Sequence, residues 1–154
     1  MNEDKIIEEY LNAQILCVGN LREVSQIIKN IFEKLISARD SDQTIYIMGN
    51  GGSASTATHF TSDLLKTSII KSKKRFKAHS LSDNIPVVLA WANDDEYNNI
   101  FLGQLENFLK KNDIVIGFSG SGNSENVIKA IEFANNSNAT TISFTGKGGG
   151  KLSK

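Results

Sequence analysis

Residues 44–53 read Thr44-Ile45-Tyr46-Ile47-Met48-Gly49-Asn50-Gly51-Gly52-Ser53. Four consecutive apolar, β-favouring side chains run into a glycine-rich turn, and Ser53 to Lys66 then takes on helical character. An apolar run without polar alternation is a strand covered on both faces. The stretch is therefore a buried strand, a tight loop and the start of a helix. The same design returns at Ile114-Val115-Ile116-Gly117-Phe118, which ends in Ser119-Gly120-Ser121-Gly122-Asn123-Ser124. A helix marked by Val127, Ile128, Ile131, Phe133 and Ala134 follows. Two more strands are expected at Phe76 to Leu81 and Thr140 to Phe144. Between them Tyr97 to Lys110 reads as a helix with Ile100, Phe101, Leu105, Phe108 and Leu109 on one side. Buried strands alternating with helices give an α/β fold, a doubly wound parallel sheet with helices on each face and right-handed crossovers.

Outward from that core, residues 5–38 carry a helical apolar stripe. Ile6, Ile7, Tyr10, Leu11, Ile15 and Leu16 lead it; Leu21, Val24, Ile27, Ile28, Ile31, Phe32 and Leu35 continue it past a break or bend at Gly19-Asn20. The stripe is wide for one face, and packing on the rest of the chain or an oligomer interface explains it equally well. The single proline, Pro86, reads as a turn or a helix start. Gly146 to Lys154 is Gly- and Lys-rich.

The 154 residues suffice for one domain with a real core, and 40% are hydrophobic. Seventeen basic and seventeen acidic side chains cancel, which argues against a nucleic-acid partner. Lys71, Lys73, Lys74, Arg75 and Lys77 accordingly read as a solvated loop and strand edge. Cys17, the one cysteine, has no internal disulfide partner; it is expected to be a small core residue in a reducing, cytoplasmic setting. The opening Met-Asn-Glu-Asp is neither a signal nor a transit peptide. No apolar run reaches membrane-spanning length, so no membrane association is expected. Trp91 is expected in the core, and His79 in the core or on a sheet edge.

The chemistry sits in the two loops. Glycine lets backbone turn sharply and approach a ligand. A helix N-terminus offers free N–H groups and partial positive charge, and serine hydroxyls add donors. Together these suit a phosphate, at the strand ends where open parallel sheets bind ligands. The plainer reading is that Ser53 and Ser124 only cap helices; two matched loops favour phosphate over it. Neither loop has the nucleotide P-loop or dinucleotide pattern, so no nucleotide cofactor is expected. His59 and Asp63 lie four apart on one helix face. Such a pair suits a base with its orienting partner, or two zinc ligands, or a plain surface hydrogen bond. Asn93-Asp94-Asp95-Glu96 reads as a cap and first-turn acids before a helix, with Asn93 and Asp94 also able to reach sugar hydroxyls.

In Gly49 to Ala54, His59-Phe60, Ala92-Asn93-Asp94, Gly117 to Val127 and Thr145 to Leu152, the sequence resembles the sugar isomerase (SIS) family, and within it the phosphoheptose isomerases. The resemblance covers nearly the whole chain. It implies a single SIS domain over 1–154, with residues 1–40 a helical oligomerisation region and 41–154 a flavodoxin-like, sugar-phosphate-binding core. It implies a homotetramer acting on a phosphorylated sugar. By position, Gly51, Gly52, Ser53, Ser119, Gly120, Ser121 and Ser124 belong to the phosphate site, and Asn50, Asn93 and Asp94 contact the rest of the sugar. His59 matches a catalytic or metal histidine. Asp63 stands where the family has a glutamate base that also binds zinc, one methylene longer. The family's last strand and a helix bearing Gln and His have no match in this sequence. The expected function is interconversion of sedoheptulose 7-phosphate and a heptose 7-phosphate for surface-polysaccharide heptose. The alternative is a non-catalytic SIS protein that binds sugar phosphates as a regulator or associates with a replication initiator.

Overall fold

The computed structural model of the chain describes residues 2–146 and 148–154. It divides into two compact units, 1–34 and 35–154. In the first, α1 (Glu3–Asn20) begins where the Asn2 side chain accepts from the Lys5 N–H at 3.3 Å. A 3₁₀ turn, Leu21–Val24, follows at the expected break and leads into α2 (Ser25–Asp40). The apolar stripe of α1 is solvent-facing, with Tyr10, Ile15 and Leu16 about two thirds exposed (64, 70 and 65%). Cys17 is exposed with them, not a core residue; α1 buries no side chain at all.

The second unit holds the sheet. Strands β1 (Thr44–Gly49), β2 (Lys77–Ser80), β3 (Ile114–Ser119) and β4 (Thr140–Thr145) are all parallel, in the order β2-β1-β3-β4. The two uninterrupted apolar runs of the sequence are thus the two central strands. Their alternate side chains serve opposite faces. Tyr46, Met48 and Val115 pack with Ile100, Phe101, Leu105, Val127 and Ile131 on one side. Full burial of a side chain of this size stabilises by about 1.5–3 kcal/mol relative to exposure. At the base of the sheet the Asp113 carboxylate, 4% exposed, accepts the Thr44 and Lys110 N–H groups, both at 2.9 Å.

The helices of this unit depart from expectation in two places and meet it at Pro86. α3 (Gly52–Ser62) gives way to a π-helical turn, Asp63–Thr67, closed by the Ser68 N–H on the Asp63 carbonyl at 2.9 Å. Pro86 starts a helix, α4 (Ile85–Asp94), whose N-cap Asn84 accepts from the Val87 N–H; proline fits a first turn because no intrahelical donor is lost there. The stretch expected as one helix from Tyr97 is a 3₁₀ turn, Tyr97–Asn99, followed by α5 (Leu102–Phe108). α6 (Glu125–Asn136) completes the unit. Trp91 is half-buried rather than core, resting against Gly103 of α5. His79 lies exposed on the edge strand β2, stacked on Tyr46 with ring centroids 5.9 Å apart.

Candidate active site

Because β1 and β3 are adjacent and parallel, their loops leave the sheet side by side at its carboxyl edge. In the first loop Gly51 is the N-cap of α3, with φ 54° and ψ −122°. Only glycine adopts that backbone freely. Ser53 therefore lies inside the first turn of α3 and is not a cap; its N–H donates to the Asn50 carbonyl at 2.9 Å. Ser124 does hold the N-cap position of α6, yet its hydroxyl caps nothing. It lies 3.1 Å from the hydroxyl of Ser119, which is 4% exposed. Ser121 Oγ accepts the Asn123 N–H at 3.1 Å. The capping explanation of Ser53 and Ser124 thus fails, and the hydroxyls of Ser119 and Ser124 meet where two strand ends and two helix starts converge.

The Gly- and Lys-rich segment after β4 is a brace for the second loop. Gly146 N–H donates to the Gly120 carbonyl at 3.2 Å, Leu152 N–H to the Gly122 carbonyl at 3.0 Å and Lys151 N–H to Asn123 Oδ1 at 3.0 Å. Lys151 Nζ also stands 3.4 Å from Glu125 on α6. Lys147 of the same motif lies outside the described residues.

Asn50 is tied down rather than free. Its Nδ2 donates to Asn126 Oδ1 at 2.8 Å, and its Oδ1 accepts from Asn126 Nδ2 at 3.0 Å and from the Tyr97 hydroxyl at 3.1 Å. Asn126, 2% exposed, sits on α6 and was not singled out from sequence. An asparagine two residues past a helix N-cap reads locally as an ordinary first-turn residue, so only its burial reveals it.

His59 and Asp63 meet as their spacing requires, with Nε2 3.5 Å from Oδ2. Thr67 Oγ1 donates to the other carboxylate oxygen at 2.9 Å. Both line an open, mainly apolar trough of about 650 Å³ with Ser55, Thr56, Phe60, Phe118 and Phe144. Phe118 and Phe144, register partners on β3 and β4, stack at 4.9 Å. The trough so lies along α3, the helix that the first glycine-rich loop opens, and beside the strand that leads to the second. Two donors do not make a zinc site, which takes three or four. Among the described residues no group of three His, Cys, Asp or Glu side chains could hold a metal.

Asn93 and Asp94 end α4 instead of preceding a helix, and Asn93 Nδ2 donates to Asp94 Oδ1 at 2.7 Å. Among the described residues neither side chain bonds to the two loops. Asp95 accepts from Asn99 Nδ2 at 2.7 Å, and Glu96 N-caps the 3₁₀ turn.

The sequence model of the SIS domain matches residues 9–146. A probable phosphoheptose isomerase of Thermoplasma acidophilum is 39% identical over 152 residues, 99% of this chain and 80% of that protein. A phosphoheptose isomerase of Helicobacter pylori is 37% identical, covering 99% of this chain and 79% of its own length. Among solved structures, a phosphoheptose isomerase from Francisella tularensis superposes with TM-score 0.91 at 26% identity, over 99% of this chain and 80% of that one. One from Neisseria gonorrhoeae shares the fold with TM-score 0.88 at 24% identity, over 99% and 79%. Paired serine loops on a parallel sheet, and likeness over nearly the full length, lead to one conclusion: the chain belongs to the SIS domain family, in its phosphoheptose isomerase branch.

Proposed function

We propose that the protein is an aldose–ketose isomerase that interconverts sedoheptulose 7-phosphate and a heptose 7-phosphate, a step toward surface-polysaccharide heptose. The observation that carries this reading is the juxtaposition of the two serine- and glycine-rich strand ends with a His–carboxylate pair on the helix that one of them opens. The phosphate binds the hydroxyls of Ser53, Ser119, Ser121 and Ser124 and the positive ends of α3 and α6. Asn50, Asn93 and Asp94 serve the polyol chain.

Asp63 is the base. It removes a proton from C1 of the ketose, and the C–H electron pair becomes the C1–C2 double bond of an enediol as the C2 oxygen takes up a proton. Return of the proton to C2, with loss of the C1 hydroxyl proton, gives the aldose. Thr67 holds one oxygen of the Asp63 carboxylate, and the other faces His59. His59 exchanges the oxygen-bound protons, a task suited to a ring whose two nitrogens can donate and accept. His59 and Asp63 alone are too few for zinc, and these proton steps need only the side chains.

Two further parts of the reading rest on the first unit. The exposed apolar stripe of α1 supports assembly into a tetramer through residues 1–40. The exposed thiol of Cys17 supports a reducing, cytoplasmic setting. No described helix is long and apolar enough to cross a membrane. The decisive experiment is an aldose–ketose assay on sedoheptulose 7-phosphate with the wild type and Asp63→Ala. Turnover is expected in the wild type, with a loss of about 10²–10⁴-fold in the variant, as for removal of a general base. A folded wild-type protein that binds the sugar phosphate and never turns it over sinks the assignment.

A further inference from the structure

We infer that Tyr97 and Asn126 are positioning residues that set Asn50 as a hydrogen-bond donor to the sugar part of the substrate; this rests on the isomerase reading above. The Asn50 side-chain oxygen accepts from Asn126 Nδ2 at 3.0 Å and from the Tyr97 hydroxyl at 3.1 Å, which uses both of its lone pairs. Its amide nitrogen gives one hydrogen to Asn126 Oδ1 at 2.8 Å. One N–H remains, so Asn50 can only donate, and the group opposite it must be an acceptor such as a carbonyl or hydroxyl oxygen.

The two partners come from separate elements that are themselves locked together. Asn126 is buried in the first turn of α6, 2% exposed. Tyr97 starts the 3₁₀ turn before α5. Lys129 of α6 joins that turn to its own helix, with Nζ 3.0 Å from Asn99 Oδ1 and 3.5 Å from Glu96 Oε2. A loop with glycine on either side of Asn50 has little stiffness of its own. The orientation of the Asn50 amide is therefore imposed from α6 and the turn, across the strand gap between β1 and β3. None of these bonds involves Ser53, Ser119, Ser121 or Ser124, so the phosphate site does not depend on them.

Calorimetry with two probes, sedoheptulose 7-phosphate and inorganic phosphate, tests the inference on Tyr97→Phe and Asn126→Ala. Tyr97→Phe removes only a hydroxyl from a ring that is 54% exposed, so it folds even if Asn126→Ala does not. Loss of one neutral hydrogen bond should weaken the sugar phosphate about three- to tenfold in Tyr97→Phe. Asn126→Ala, which frees both ends of the amide, should weaken it at least tenfold. Inorganic phosphate should bind each variant within twofold of wild type. Parallel weakening of both probes would mean that the residues only hold the loops together, and unchanged sugar-phosphate binding in Tyr97→Phe would mean that Asn50 is not set by them; either result overturns the positioning role and leaves the isomerase reading standing. A wild type that binds inorganic phosphate as tightly as the sugar phosphate overturns both.

Discussion

A Cβ added at Gly122 would stand 2.5 Å from the carbonyl carbon of Gly149, and closer still to its oxygen. Gly122 also has φ 66°, in the left-handed region. The serine loop after β3 and the glycine-rich turn after β4 are thus interlocked backbone to backbone, with no room for a side chain between them. Gly122→Ala should cost about 1–3 kcal/mol from the backbone conformation alone, with the clash added to it. Urea denaturation should show the lowered midpoint, and phosphate affinity should fall with it. A variant as stable as wild type would mean that the two turns separate freely.

The Ser121→Ala, Ser124→Ala pair should bind phosphate about a hundredfold more weakly if each lost bond to the charged group is worth about 1.5 kcal/mol. Folding should survive, because neither hydroxyl caps α6. Asp63→Ala should leave binding within about twofold, since it removes no phosphate donor. Calorimetry on the three proteins separates anchoring from chemistry. The opposite ranking would place the phosphate at the His59–Asp63 end of α3.

Asp113 joins the starts of β1 and β3 through the N–H groups of Thr44 and Lys110, each at 2.9 Å. Asp113→Ala leaves two donors without their charged acceptor, and should destabilise the fold by roughly 3 kcal/mol. Thermal unfolding reads this directly. Affinity for phosphate at 10 °C should hold, because the serine loops lie at the opposite ends of the same strands.

Asp42 carries an acid-side contribution to stability. Its hydrogen bond with Lys77 at 2.6 Å, and the Lys77 charge, hold its carboxyl below the usual 3.8. A carboxylate with a lowered folded pKa stabilises fully above its unfolded value. That contribution is lost as pH falls below about 3.8 and through the lower folded value. Asp42→Asn should therefore lower the neutral plateau slightly and leave the acid end unchanged, which flattens the stability curve over that window. Unfolding midpoints measured from pH 7 down to pH 2.5 check it, and parallel curves for the two proteins would refute it.

The amino-acid order settled the strands, the two serine loops and the meeting of His59 with Asp63. These are local matters: apolar runs, turn chemistry and the rise of a helix act over ten residues or fewer. The same locality misled where a residue's role depends on a distant neighbour. Ser53 and Ser124 looked like caps until Gly51 took the cap of α3 and Ser119 came within 3.1 Å of Ser124. Cys17 looked like a core residue, but burial is a property of packing and the face of α1 that bears it is exposed. Asn126 gave no signal, because its partner Asn50 is 76 positions away and the two are joined only when β1 and β3 pair. Gly146 to Lys154 read as a Gly- and Lys-rich stretch of low complexity. Pairing of β4 with β3 is what brings that segment against the second serine loop, where its glycines let backbone meet backbone.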